Sequence, residues 1–303
     1  MSACSQAHLC RPNSGRITEL MIIDLSLSPT LLAVVGFAFG TIIGSFLNVV
    51  ILRLPQIMHN QWTSDAREWL HLQSQSRETF NLASPASHCP HCGTSIKPWH
   101  NIPIFSFLLL RGRCNHCNAP ISVQYPIVEL LTGLVTAYFF TQSGLSVITL
   151  SSIIFCCSLI VLAIIDYRHQ LLPDQITLPL LWLGLLVNLE NLFTNTNHAI
   201  LGAVLGYLSL WVVFWLFKLT TNKEGMGYGD FKLSAALGAW LGWQMVPVII
   251  FLSSATAAIV GISAILFAGR DKGVPMAFGP YLCIYGWIGL QWGDSIFSWY
   301  LSF

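Results

Sequence analysis

The stretch SVITLSSIIFCCSLIVLAII at residues 146–165 contains no charged side chain, and Asp166 follows it directly. A membrane hydrocarbon core needs about twenty apolar residues per spanning helix. The stretch is therefore predicted to cross a membrane as an α-helix that ends in a carboxylate. An ionisable side chain beside hydrocarbon is costly, so Asp166 is a functional candidate.

The rest of the chain shows the same bias, because hydrophobic residues make up 54% and charged residues only 9%. Soluble domains usually carry about 25% charged residues. We predict an all-α polytopic membrane protein whose eight spans lie near residues 31–52, 125–142, 146–165, 176–192, 199–217, 231–243, 245–268 and 277–292. The sixth span is short and rich in Gly and Ala, which makes it the candidate for a half-span.

The predicted spans divide the chain into five parts. These are a polar N-terminal tail (1–30), a first transmembrane helix (31–52), a loop domain (53–124), a transmembrane core (125–298) and a C-terminal tail (299–303). Small residues recur at helical spacing in three spans, which predicts close helix packing. They are Gly36, Gly40 and Gly44, then Gly202 and Gly206, then Gly238 and Gly242.

Lysine and arginine are distributed unevenly between the two predicted sides. Arg11 and Arg16 lie in the N-terminal tail, whereas the other twelve basic residues fall on the opposite side. Positive charge accumulates on the cytoplasmic side of membrane proteins. The pattern predicts that the 53–124 loop faces the cytoplasm. The net charge of +1 gives no support for nucleic-acid binding.

The loop contains two CxxC pairs, formed by Cys89, Cys92, Cys114 and Cys117. Paired knuckles with this spacing are typical of a structural zinc site in a zinc-ribbon-like fold. The alternatives are two disulfides, which a cytoplasmic location disfavours, or a redox role for one pair. The neighbouring histidines offer alternative ligands, namely His88, His91, His100 and His116. The other five cysteines are assigned no role.

A second carboxylate, Asp230, closes the tetrapeptide Gly227-Tyr228-Gly229-Asp230 just before another apolar segment. Two carboxylates on one side of a membrane, close enough to share a proton, are what an aspartic protease requires. The plain alternative for Asp230 is a helix N-cap, and for Asp166 a polar residue at the end of a span. Asp174 is predicted to cap the fourth span. Glu129, inside the second span, is predicted to face the bundle interior.

Several motifs together resemble the bacterial type IV prepilin peptidase family. They are GSFLNVVILRLP (44–55), the paired CxxC loop, YPIVELLTG (125–133), IDYRHQLLPD (165–174), EGMGYGDFKL (224–233) and FGPYL (278–282). The resemblance covers about residues 31–298. It implies that Asp166 and Asp230 are the catalytic aspartates of an aspartic peptidase core. It also implies that the four loop cysteines bind zinc, as in the methylating members of the family.

The resemblance further implies a function at the bacterial inner membrane. The substrates would be type IV prepilins and type II secretion pseudopilins, cut on the cytoplasmic side after a Gly that ends a short basic leader. The same enzyme would then methylate the new N-terminal residue, usually Phe, with S-adenosylmethionine as methyl donor. No pattern in the sequence identifies the residues that bind S-adenosylmethionine.

Two other functions remain open at this point. One is a leader peptidase that carries out no methyl transfer, which the cysteine loop disfavours. The other is a zinc-containing channel or transporter in which Glu129, Asp166 and Asp230 line an ion path. A channel would carry further polar residues in mid-span and an internal repeat, and we find neither in the sequence.

Overall fold

The computed structural model describes residues 28–72, 80–97, 99, 102–223, 225–269 and 276–301. Within these ranges the chain forms nine α-helices and no β-strand, apart from two isolated bridges. The helices are α1 (Pro29–Trp69), α2 (Phe105–Leu109), α3 (Gln124–Ser143), α4 (Val147–His169), α5 (Asp174–Val187), α6 (Thr196–Thr221), α7 (Tyr228–Leu241), α8 (Met245–Ala268) and α9 (Gly279–Leu301). Most of the predicted N-terminal tail, residues 1–27, and the last two residues lie outside the described part. The all-helical fold class is as predicted.

Each of the eight predicted spans is helical, but only four of the described helices are long and apolar enough to cross a membrane. These four are α1, α4, α6 and α8. Helices α5 and α7 have 14 residues each, which gives a length of about 21 Å against a hydrocarbon core of about 30 Å. Helices α3 and α9 are long enough, yet they carry more polar residues. The sequence pattern located the helices correctly without showing that all eight are complete spans.

The outer helices expose large apolar side chains in the way that a lipid-facing surface requires. Helix α8 is the clearest case, since Phe251, Leu266 and Phe267 are all strongly exposed. Helices α1 and α6 also expose aliphatic and aromatic residues along much of their length. An aqueous surface rarely tolerates apolar patches of this extent. The chain is therefore a membrane protein.

Helix α1 continues to Trp69, far beyond residue 52, where its apolar stretch ends. Hydropathy detects the membrane boundary and not the end of a helix. The residues after Pro55 contain neither Gly nor Pro up to Trp69, so nothing in the local sequence terminates the helix. The extension projects a polar helical arm from the bundle. The predicted loop domain of 53–124 thus begins with nearly five turns of helix, at residues 53–69.

Helix α7 forms the centre of the bundle, and nearly all of its residues from Asp230 to Trp240 are buried. Trp240 is fully buried, and its Nε1–H donates a hydrogen bond to the Leu180 carbonyl at 2.8 Å. Its ring packs at 4.8 Å from the Phe155 ring of α4, measured between centroids. Helix α7 can be short because other helices surround it.

The small residues permit close helix packing, as predicted. A Cβ added at Gly40 of α1 would lie 2.5 Å from the Thr132 carbonyl oxygen of α3. Gly202 of α6 and Gly238 of α7 likewise bring their backbones into direct contact. Gly242 has a different function: with φ at +84° it terminates α7, a conformation that favours glycine.

Four helix ends meet at one end of the bundle. The last turn of α4 lies here, and α5, α7 and α9 all begin here. An ion pair of 2.7 Å between Lys232 and Asp174 joins the starts of α7 and α5. At the opposite end, the side-chain amide of Asn188 donates to the Ala239 carbonyl at 2.8 Å and fixes the end of α7. Polar contacts thus fix both ends of α7, the central helix, to neighbouring segments of the bundle.

Candidate active site

Asp166 lies in the last turn of α4 and is 5% exposed. Its Oδ2 accepts a hydrogen bond of 2.8 Å from the backbone N–H of Gly279. Gly279 is the first residue of α9, and the first N–H groups of a helix have no partner within the helix. Asp166, in the last turn of α4, therefore provides a hydrogen-bond acceptor for the first N–H group of α9.

Asp230 lies in the first turn of α7 and is 7% exposed. Gly227 precedes the helix in an extended conformation, and its carbonyl accepts the Asp230 backbone N–H at 3.2 Å. The positive end of the α7 dipole favours a carboxylate at this position. Gly227 is the N-cap residue and no side chain caps α7, so the interpretation of Asp230 as a helix N-cap is wrong. Asp230 is the third residue of the helix and is buried among the helices.

The structure places both carboxylates at the same end of the bundle, within electrostatic range of each other. Leu172, in the connection between α4 and α5, packs against the glycines that adjoin them. A Cβ at Gly229 would lie 2.7 Å from the Leu172 Cβ, and one at Gly279 would lie 3.2 Å from its Cδ2. Because Gly229 and Gly279 have no Cβ, Leu172 can pack directly against the starts of α7 and α9, next to the two aspartates.

A buried thiol completes the surroundings of the pair. Cys283, one turn along α9 from Gly279, is almost fully buried and lies within electrostatic range of both Asp166 and Asp230. Nothing in the sequence distinguishes Cys283 from the other cysteines without an assigned role. The tertiary packing of α9 against α4 and α7 is what brings it here.

The four loop cysteines form a second cluster. Their Sγ atoms all lie within 4.8 Å of one another, and those of Cys89 and Cys117 are 3.8 Å apart. All four thiols are free, so the disulfide alternative is wrong. Tetrahedral thiolate coordination at about 2.3 Å places sulfur atoms about 3.8 Å apart. Four thiols in this arrangement can hold a metal ion.

The two CxxC segments are built alike. The N–H of Gly93 donates to the Cys89 carbonyl, and the N–H of Asn118 donates to the Cys114 carbonyl. Gly93 and Asn118, each four residues after the first cysteine of its pair, both have a positive φ. Glycine and asparagine are the residues that best tolerate this conformation. The histidines that are described here do not join the sulfur cluster, and His100 lies outside the described residues.

Hydrogen bonds and neighbouring groups shift the pKa values of three of the clustered thiols. Hydrogen bonding by the Thr94 side chain lowers the pKa of Cys92 to about 6, and backbone hydrogen bonds from Cys117 and His116 lower the pKa of Cys114. A backbone hydrogen bond from Ala119 lowers the pKa of Cys117, but burial and the neighbouring thiols outweigh it and raise the value to about 11. A thiol binds a metal ion as its thiolate, so a bound cation would favour ionisation of these side chains.

Comparison with known proteins identifies the family. Residues 38–143 match the bacterial peptidase A24 N-terminal domain, and residues 153–262 match the type IV leader peptidase family. A prepilin leader peptidase/N-methyltransferase from Pseudomonas aeruginosa is 51% identical over 265 residues, which cover 87% of this chain and 91% of that protein. The chain belongs to the type IV leader peptidase family. The resemblance inferred from the sequence motifs is thereby confirmed.

Other relatives in the type IV leader peptidase family carry the same name. The protein from Stutzerimonas stutzeri is 49% identical over 280 residues, which cover 92% of this chain and 97% of that protein. The protein from Legionella pneumophila is 44% identical over 271 residues, or 89% of this chain and 94% of that protein. No solved structure gives a significant match.

The remaining predicted carboxylates have contacts of their own. Glu129 is buried in α3, where its Oε2 accepts the Ile104 backbone N–H at 2.7 Å and its carboxylate interacts with Ser45 of α1. It thus ties the loop to the α1–α3 pair. Asp174 is the first residue of α5, and its carboxylate binds Lys232 without capping the helix.

The sequence motifs assign no role to Gly279 and Arg53, yet both make contacts that hold the structure together. Gly279 donates its N–H to Asp166, and the Gly-Pro pair in FGPYL is the signal that predicts a helix start there. Arg53 donates to the carbonyls of Asn81, Leu82 and Pro85 at 2.7–3.2 Å, which fixes the loop against α1. No local pattern reveals the Arg53 contacts, since they depend on the path of the loop.

Proposed function

We propose that this chain is a membrane-embedded aspartic endopeptidase that removes the basic leader of type IV prepilins and type II secretion pseudopilins after Gly. It then N-methylates the new N-terminal residue, usually Phe. The observation that carries the proposal is that two buried carboxylates, Asp166 and Asp230, lie within electrostatic range of each other at one end of the helical bundle. The names of the relatives, all prepilin leader peptidase/N-methyltransferases, support it.

Cleavage follows from the chemistry of a carboxylate pair. The two groups share one proton, since two like charges in one buried site cannot both ionise. The ionised carboxylate takes a proton from water as the water attacks the scissile carbonyl carbon, and the protonated carboxyl donates a hydrogen bond to the carbonyl oxygen. The N–H of Gly279 keeps the Asp166 carboxylate in position. The pair acts as a unit, so the two roles belong to the dyad.

The membrane arrangement of this proposal has eight crossings. Helices α1, α4, α6 and α8 span fully, while α3, α5, α7 and α9 complete the bundle with shorter or more polar segments. The aspartates and the cysteine loop face the cytoplasm at the bacterial inner membrane, because most Lys and Arg residues lie on that side. A prepilin helix anchored in the same bilayer then presents its leader at the level of the dyad.

The metal ion we propose for the loop is zinc, bound by Cys89, Cys92, Cys114 and Cys117. Four thiolates are a closed ligand set, which is typical of a structural zinc ion. The loop has little apolar core of its own, so the metal would contribute folding energy to it. The ion would hold the two knuckles together and takes no part in peptide cleavage.

Removing the metal is expected to unfold the loop and leave the bundle intact. Cys114→Ser removes one ligand, so the purified protein should contain at least tenfold less zinc and trypsin should cut the loop near Arg111 and Arg113. Metal analysis and limited proteolysis measure both effects. Cys157→Ser, in α4 and away from the cluster, is the matched control and should retain the zinc of the unchanged protein. Full zinc occupancy in Cys114→Ser would contradict the assignment.

Purified protein with a synthetic prepilin is the direct test of the function. The full chain, in lipid nanodiscs, should shorten the prepilin by its leader whether or not S-adenosylmethionine is present. With S-adenosylmethionine, mass spectrometry should find one added methyl group on the new N-terminus. Cleavage without methylation would leave only the leader peptidase alternative. An absence of cleavage, together with ion conductance in planar bilayers, would favour the channel alternative.

A further inference from the structure

The short helix α2 is apolar, yet none of its side chains is buried. It lies in the run IPIFSFLLL at residues 102–110, where Ser106 carries the only polar side chain. Phe105, Leu108 and Leu109 are 59%, 66% and 68% exposed. A surface that faces water rarely carries such a patch, so the exposed face of α2 requires an apolar neighbour.

A buried carboxylate fixes the level of α2 in the bundle. The N–H of Ile104, directly before α2, donates to Oε2 of Glu129 at 2.7 Å. Glu129 is the sixth residue of α3, so it lies about 7.5 Å along that helix from its start. The predicted second span starts at residue 125, and α2 therefore begins at the cytoplasmic boundary of the membrane in the arrangement proposed above. An apolar side chain that faces outward at this level lies next to lipid.

Two arginines follow α2 and line a cavity of about 500 Å³. The lining residues are Leu109, Leu110, Arg111, Arg113, Cys114, Asn115 and Asn118. No carboxylate is among them, and within the part of the chain that the structure describes neither arginine forms an ion pair. Guanidinium groups bind phosphate oxygens through paired N–H donors, and the amides of the two asparagines add further donors. The cavity therefore suits a phosphate group that is attached to an apolar chain.

Hydrogen bonds connect α2 to the second cysteine pair. The N–H of Gly112 donates to the Phe107 carbonyl at 2.9 Å, and the N–H of Arg113 donates to the Leu110 carbonyl at 3.0 Å. A Cβ at Gly112 would lie 3.0 Å from Cζ of Phe107, so the turn packs directly on the ring. Cys114 follows this turn without a break. A partner that binds α2 therefore also positions this half of the cysteine cluster.

We propose that α2 and the cavity beside Cys114 form a docking site for anionic phospholipid of the cytoplasmic leaflet. The inference goes beyond the proposed function and rests on its cytoplasmic orientation of the loop. Leu108 and Leu109 enter the acyl-chain boundary, and Arg111 and Arg113 bind the headgroup phosphate. Apolar side chains beside basic residues are typical of segments that lie in an anionic membrane surface.

The charge of the cavity favours lipid over the proposed substrate as its occupant. A prepilin leader is basic, so Arg111 and Arg113 would repel it. Anionic lipid, in contrast, offers the phosphate that the two guanidinium groups lack within the chain. Docking in this way would hold the cysteine cluster at the membrane surface, while the bond between Ile104 and Glu129 joins the same segment to the helical bundle.

Hydrogen–deuterium exchange of the full chain in nanodiscs tests the docking site without any substrate. The two lipid compositions are phosphatidylcholine alone and equal parts of phosphatidylcholine and phosphatidylglycerol. The backbone amides of residues 102–113 should exchange roughly tenfold more slowly in the anionic nanodiscs, because each surface arginine gains about a fivefold preference for anionic lipid. Residues 188–196, at the opposite end of the bundle, should exchange equally in both.

A charge variant assigns the dependence on lipid composition to the cavity. Arg111→Gln combined with Arg113→Gln should abolish the difference between the two compositions. Lys223→Gln is the control, since it removes an exposed positive charge just after α6 and lies outside the cavity. It should retain the full difference. Unchanged exchange at residues 89–94 shows that the cysteine loop is still folded in each variant.

A second variant tests the apolar part of the surface. Leu108→Gln combined with Leu109→Gln should make residues 102–113 exchange rapidly in both lipid compositions, because glutamine does not enter the acyl-chain boundary. Leu72→Gln is the matched control. It changes an exposed leucine just after the arm of α1, in the same predicted loop, and should leave the exchange of residues 102–113 as it is in the unchanged protein.

Three results would overturn the docking site. The first is equal exchange of residues 102–113 in the two lipid compositions. The second is equal protection by inorganic phosphate added to phosphatidylcholine nanodiscs, which would indicate a site for free anions. The third is protection by a synthetic prepilin and not by anionic lipid, which would indicate a surface for substrate. Cleavage of prepilin by the unchanged protein is assayed separately, so a failure of the proposed peptidase function remains distinguishable from each of these results.

Discussion

Replacing Asp166 or Asp230 by asparagine is expected to abolish prepilin cleavage, with a loss of roughly 10²–10⁴-fold or more in rate. Asparagine has nearly the same shape as aspartate, and its side-chain oxygen can still accept the Gly279 N–H at position 166. It can neither take a proton from water nor share one with its neighbour. The change therefore removes the proton chemistry and preserves the packing.

The double variant makes this prediction sharper. If the carboxylates act as one unit, Asp166→Asn and Asp230→Asn together should lose little more activity than either alone. Asp174→Asn is the matched control. Its ion pair with Lys232 is partly solvent-exposed, so its loss should cost about 1 kcal/mol or less and leave cleavage nearly unchanged. The assay is leader removal from a synthetic prepilin, and efficient removal by either single variant would rule out the dyad.

Gly279→Ala is expected to reduce cleavage by roughly 10²-fold, although it changes no ionisable group. The added Cβ would lie 2.7 Å from Oδ2 and 3.1 Å from Cγ of Asp166. Real Cβ atoms do not approach so closely, and so the carboxylate or the start of α9 must move. A carboxylate displaced by even 1 Å from its reactive position loses much of its catalytic effect.

The same helix provides the control for Gly279→Ala. A Cβ at Gly293 would meet its nearest neighbour, Sδ of Met245, at 3.5 Å, which is an ordinary contact. Gly293→Ala should therefore cleave at the rate of the unchanged protein. Both variants are compared by initial rate and by thermal unfolding, so that a lost fold is distinguished from a displaced carboxylate. A normal rate in a folded Gly279→Ala would show that the α9 contact does not position Asp166.

The positions of the helices could be predicted because hydropathy acts locally. The runs that became α4, α6 and α8 are each apolar for at least eighteen residues, and no tertiary contact is needed to identify them. The extent of α1 and the shortness of α5 could not be predicted in this way, whereas the short apolar run at residues 231–243 did predict a short α7. Helix α1 continues because nothing stops it, and α7 ends after 14 residues within the bundle.

The residues of the candidate site also divide into those that the sequence identifies and those that only tertiary contacts identify. Asp166 and Asp230 stand out as carboxylates beside apolar runs, and the cysteine spacing by itself predicts a metal cluster. The functions of Gly279 and Leu172 do not stand out, because each depends on a contact between distant segments. Gly279 lies 113 residues from the carboxylate to which it donates. A cleft between α1, Phe80 and the end of α4 likewise depends on the tertiary structure, since no single motif connects these segments.

The sequence by itself determined that this protein is a helical membrane protein, which carboxylates are its candidate catalysts and which thiols can share a metal ion. These features follow from the cost of placing charge beside hydrocarbon and from the spacing of metal ligands, and both can be recognised in the local sequence. Only the tertiary structure decided which groups surround Asp166 and Asp230. That outcome depends on close approach between α4, α7 and α9, where missing Cβ atoms at Gly229 and Gly279 leave room for one packing arrangement.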